Sequence, residues 1–145
     1  MLENIKKLFN LWNDKKQNIT QNKKIIHIKE RDILFINMGK NIGVEQDGKG
    51  EEFLRPIIVY KKFNNSQFIG IALTSQEKSG KYYFKFQYLK DKKSYAILSQ
   101  IRVYDTKRVK YKSGVINKED FNTLHEKFCE VVTPTECGRV PKEYK

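Results

Sequence analysis

The stretch Gly43-Val-Glu-Gln-Asp-Gly-Lys-Gly50 puts Glu45, Gln46, Lys49 and three glycines into one short loop, and Arg55 closes that loop. The spacing nearly spells GxxxxGK[ST], the phosphate loop that cradles a nucleotide on backbone N–H groups. The match breaks at three points. Gly50 stands where Ser or Thr must hold magnesium. Glu45 and Asp47 would set carboxylates against the phosphates. No helical pattern follows, so no helix N-terminus points at the anion. Instead Arg55-Pro56 opens the strand-like run "LRPIIVY". Pro56 restricts Arg55 to extended backbone. A guanidinium anchored in that way offers a fixed fork of donors and a permanent charge, which suits a phosphodiester. Composition alone leaves the plainer reading open, in which Glu45 and Arg55 are ordinary surface charges.

Other chemistry is sparse. His27, His125, Cys129 and Cys137 lack the spacing of a metal site, and two free thiols in a reducing compartment are the simplest reading. No metal and no cofactor are expected. The net charge of +12 points to a polyanion. That charge is local: residues 81–112 carry ten Lys/Arg against two acids, interleaved with Tyr82, Tyr83, Phe84, Phe86 and Tyr88. Apolar runs are too short for a bilayer span, and Lys6, Lys7, Asn10 and Asn13 interrupt any signal-peptide core. A cytoplasmic address in a bacterium, with no membrane partner, is expected.

The elements that must position these residues are mostly strands. Leu2, Ile5, Leu8, Phe9 and Trp12 recur at helical spacing and predict a short amphipathic helix. The polar stretch Asn13–Lys24 reads as a linker. Strands are expected at Ile25–Ile28, Asp32–Met38, Pro56–Lys61, Phe68–Leu73, Tyr82–Leu89, Ser94–Leu98 and Ile101–Tyr104. In "KYYFKFQYL", Tyr82, Phe84, Phe86 and Tyr88 share the face that fills the core. A helix capped by Asn117 follows, with Phe121, Leu124, Phe128 and Val131 as its stripe. Short strands closed by one helix argue for a mainly β fold, a small, strongly bent antiparallel barrel. The organisation expected is a helical extension and linker over 1–28, a barrel domain over 29–132 and an irregular tail over 133–145.

Five pieces resemble the PemK/MazF family of toxins: "ERDILFINMG", "GVEQDGKG", "LRPIIVY", "IALTS" and "AILSQIRVYDTKRV". They occur in the family's order and, with the C-terminal helix, cover about residues 30–132. The resemblance implies an SH3-like barrel working as a homodimer. It implies a metal-independent endoribonuclease that cuts single-stranded RNA and is restrained by a cognate antitoxin. The family's catalytic arginine falls on Arg55, its strand-end Thr/Ser on Thr74, the glutamate of "GSEQ" on Glu45, and the glutamine of "DQIR" on Gln100. Val44 and Ser99 depart from the family's usual residues, and the loop from Gln46 to Arg55 is longer than usual.

RNA carries its own nucleophile, the 2′-OH. An enzyme must take that proton, stabilise the charge on the phosphorane-like state and protonate the leaving 5′ oxygen. Two tuned histidines are the familiar solution; here His27 and His125 read as structural or exposed. Orientation and electrostatics must then lower the barrier, with Arg55, Thr74 and Glu45 as the catalytic set. Gln46, Ser75, Ser99 and Gln100 are candidates for reading base edges. Lys49, Lys81, Lys85, Arg102 and Lys107 are candidates for the phosphate backbone. Two alternatives remain open at this point: a non-catalytic toxin similar to CcdB that binds a topoisomerase, and an inactive basic RNA-binding module.

Overall fold

A computed structural model describes residues 1–135. The element order is α1 (Leu2–Thr20), β1 (Asp32–Asn37), β2 (Leu54–Lys62), β3 (Gln67–Thr74), β4 (Tyr83–Leu89), β5 (Lys92–Asp105), a 3₁₀ turn (Thr106–Arg108), β6 (Val109–Val115) and α2 (Lys118–Val132). The six strands form one sheet in the order β4-β5-β3-β2-β1-β6, with every neighbouring pair antiparallel. The mainly β architecture with a helix at each end is as expected. Closure is incomplete: β4 and β6 are edges and share no ladder. Their side chains meet instead, through the Tyr88 and Ser113 hydroxyls at 3.2 Å.

Alternation along the strands divides the core between the two faces of the sheet. Ile33, Ile58 and Ile71 join Phe84, Phe86 and Leu98 beneath Leu124 and Phe128 of α2. One residue along, Leu34, Ile57 and Ala72 join Met38, Phe68 and Tyr104 on the other face. Asn117 caps α2 by accepting from the Asp120 N–H at 2.7 Å. The aromatic alternation in β4 holds for Phe84 and Phe86, which are buried; Tyr88 is half-buried, and Tyr82 lies before the strand and is exposed.

Four expectations change. The polar stretch from Asn13 is not a linker as far as Thr20, because α1 continues through it. No apolar stripe marks that half. It is tied down by Lys15 to Glu52 and by Lys107 Nζ donating to the Thr20 carbonyl. Ile25–Ile28 is not a strand: it crosses the second core and buries Ile28 there without adding to the sheet. Ser94–Leu98 and Ile101–Tyr104 are one strand interrupted by a bulge. Ile71 pairs with Ile101 but Leu73 pairs with Ala96, so β5 carries extra residues across that step. Finally β6 was not anticipated. "VKYKSGV" is an edge strand paired only with β1, and its lysines are the composition that guards an exposed edge. Of the tail, residues 136–145 lie outside the described residues.

Candidate active site

The loop between β1 and β2 is a built object, and glycine makes it possible. A Cβ on Gly48 would lie 1.7 Å from the Phe53 carbonyl oxygen, so no other residue lets the two arms of the loop approach so closely. The Asp47 carboxylate ties the loop to its root, accepting from Asn41 N–H at 2.5 Å and from Lys40 Nζ at 2.6 Å. Asn41 Nδ2 donates to the Gln46 carbonyl at 2.7 Å. From the β5 bulge, Gln100 grips the loop with both ends of its amide. Oε1 accepts from Gln46 N–H at 3.2 Å and Nε2 donates to the Val44 carbonyl at 3.1 Å.

This loop and the end of β3 hold Arg55. Its Nε donates to the Asp47 carbonyl at 2.5 Å and its Nη1 to the Leu73 carbonyl at 3.0 Å. Nη2 donates to no group among the described residues. The guanidinium is half-buried. Burial lowers its pKa from the ordinary arginine value, while the nearby Asp47 charge acts in the opposite sense. The residue after Leu73 is Thr74, whose Oγ1 accepts from the Gln76 N–H at 3.2 Å. One backbone carbonyl therefore couples the two positions that sequence reasoning singled out for phosphate chemistry.

Arg55 and Thr74 open on a groove of about 1110 Å³. Lys49 and Ser75 line it as well, so four of the twelve predicted site residues share this one depression. The other eight do not line it; among them Lys85 is exposed on β4 and Lys107 donates to the Thr20 carbonyl. Glu45 is exposed on the loop, outside the groove. Gln46 is half-buried where the loop meets Gln100. Gln100 was expected to read base edges; both ends of its amide are occupied by loop backbone, so it holds the loop. Ser99 is exposed at the bulge, and Lys81 lies over the Tyr82 ring, 5.0 Å from its centroid. Arg102 packs 5.3 Å from the Tyr104 ring centroid, and its Nη1 is buried without a hydrogen-bond partner.

The structure adds groove residues that sequence reasoning missed. Lys92 and Lys93 supply cations from the start of β5, while Glu77 and Asp91 bring carboxylates. Phe35, Tyr88, Tyr95 and Tyr111 supply ring surface. The lysines had a signal, because they lie in the basic segment. Tyr111 lies in that segment too, but the strand that turns it to the groove was not foreseen. Neither described histidine reaches the groove. His27 is exposed. His125 Nδ1 hydrogen-bonds the Tyr60 hydroxyl, and burial raises the pKa of that phenol. Among the described residues no group of three or more His, Cys, Asp or Glu is placed to hold a metal ion, and no helix is long and apolar enough to cross a membrane.

The six-stranded fold has solved counterparts. The chain is similar in structure to a MazF from Deinococcus radiodurans, with a TM-score of 0.62 and 14% identity over 76% of this chain and 98% of that one. It is similar to the Deinococcus radiodurans MazE–MazF complex structure at a TM-score of 0.56, with 11% identity over 74% of this chain and 97% of that one. An endoribonuclease from a mycobacterial species, solved in complex with its cognate antitoxin, matches with a TM-score of 0.58 and 7% identity over 73% of this chain and 95% of that one. No curated protein matches the sequence. The family model for PemK-like, MazF-like toxins of type II toxin–antitoxin systems matches residues 29–132. The chain belongs to that family, and α1 lies outside the matched region.

Proposed function

We propose that this toxin is an endoribonuclease that cuts single-stranded RNA, such as mRNA, by attack of the 2′-OH on the adjacent phosphodiester, and so inhibits translation and growth. The observation that carries the reading is the Arg55 guanidinium, half-buried, held by two backbone carbonyls, beside Thr74 at the mouth of a basic, aromatic groove. A non-catalytic binder of a topoisomerase has no need of such a pair.

Arg55 stabilises the charge that develops on the non-bridging oxygens, where a preorganised donor is worth most. It also stands ready to help protonate the leaving 5′ oxygen. Thr74 Oγ1 accepts one N–H and keeps its own hydrogen to donate to the scissile phosphate. Glu45, exposed outside the groove on the loop whose Asp47 carbonyl aims Arg55, takes the 2′ proton directly or through water once RNA is bound. Lys49, Lys92 and Lys93 follow the phosphate backbone. No step calls for a metal or cofactor. The working unit is a homodimer in the bacterial cytoplasm, and a cognate antitoxin restrains it by occupying the groove.

The test is the chemistry of the ends. RNA cut in EDTA should carry a 2′,3′-cyclic phosphate on one fragment and a 5′-hydroxyl on the other. The same sequence with 2′-O-methyl groups should stay whole. Cleavage of the methylated RNA, or activity that EDTA abolishes, would refute the reading.

A further inference from the structure

Tyr111 is half exposed although it pairs with Phe35 across β1 and β6. It sits on β6, and its neighbours Lys110 and Lys112 are fixed by ion pairs to Glu52 and Asp32, both at 2.8 Å. Strand alternation therefore commits the ring to the groove side. There it stacks on Phe35, with centroids 4.9 Å apart and planes 18° from parallel. Phe35 is half-buried, yet Tyr111 is 50% exposed. A stack of two rings thus ends in the groove with an aromatic surface that the core does not use.

We propose that Tyr111, backed by Phe35, is a stacking subsite for one unpaired RNA base. The inference rests on the nuclease reading and deepens it. A base fits because it offers a flat π-face at the end of a flat stack, and every base has one. The cations needed for its phosphates line the same groove: Lys49, Arg55 and Lys93. A paired base is already stacked inside its helix and cannot offer that face, so the subsite selects single strands. Phe35 gives Tyr111 a rigid backing, which limits the ordering cost when the base arrives.

The experiment uses the full chain and a short single-stranded RNA, 2′-O-methylated so that it has no nucleophile, with 2-aminopurine moved along its length. Binding should quench the fluorescence at one position. Tyr111→Ala should abolish that quench and weaken binding about fivefold to 150-fold, the range for one lost base–aromatic stack. Tyr111→Phe should keep both. Quenching and affinity left unchanged by Tyr111→Ala would overturn the subsite, while cleavage of unmodified RNA by that variant would leave the nuclease standing. If the parent protein neither binds nor cuts RNA, both readings fall together.

Discussion

Two carbonyl oxygens hold the Arg55 guanidinium, from Asp47 and from Leu73. Neither carries a formal charge, so the cation is oriented without being neutralised, and Nη2 is left for a ligand. Gln100 then matters through the loop that supplies one of those carbonyls. We expect Gln100→Ala to lower kcat between about tenfold and a hundredfold with a small change in KM, because a slight misplacement of a catalytic group is that costly. Single-turnover cleavage checks it, and a rise in KM alone would return Gln100 to substrate contact. The carboxylates can be separated in the same assay. Glu45→Gln should slow cleavage, whereas Glu77→Gln, in the groove but away from the loop, should not. Burial lowers the Arg55 pKa, which favours loss of its proton as pH rises. An arginine starts far above neutrality, so Arg55 stays cationic there and its contribution falls only in alkali. With the histidines outside the groove, the rate–pH profiles of parent and His27→Ala should coincide. An inflection near neutral pH that vanishes in His27→Ala would contradict this account.

At the scale of elements, α1 packs on the root of the β1–β2 loop. Trp12 is buried against Phe53, 5.5 Å between centroids, and beneath Arg108. A Cβ on Gly39 would fall 2.2 Å from the indole, at a φ of +94° that only glycine tolerates easily. Trp12→Ala should cost about 3–5 kcal/mol of stability, read by chemical denaturation, and a loss under about 1 kcal/mol would show that α1 merely rests on the domain. Much of this element layer was legible. The Pro after Arg55, the alternation in "KYYFKF" and the Asn117 cap each have a local physical signature. The unread parts were those fixed at long range. The second half of α1 has no stripe and is tied by Lys15 and Lys107. The β5 bulge depends on the β3 register. Edge strand β6 looks like a solvated charge run until β1 pairs with it.

Over the whole molecule, the basic excess of residues 81–112 divides between uses that sequence cannot separate. Lys92 and Lys93 enter the groove, Arg108 packs on Trp12, and Lys110 and Lys112 pair with acids. Arg55, Thr74, Ser75 and Lys49 were legible as groove residues because the β1–β2 loop and the adjoining ends of β2 and β3 bring them together. Sheet curvature, which no local pattern encodes, chose the residues opposite them. Changing Lys92 and Lys93 together to Ala should reduce the salt dependence of RNA binding by the release of about two counterions' worth, a slope change of about 1.4 for a single strand. The most direct measurement remains cleavage of a long single-stranded RNA in EDTA by the parent protein beside Arg55→Ala, with circular dichroism to show that both are folded. We predict cutting at a recurring short sequence by the parent and a loss of about a hundredfold to a thousandfold in the variant. Equal cutting by a folded Arg55→Ala would contradict the assignment of the active site.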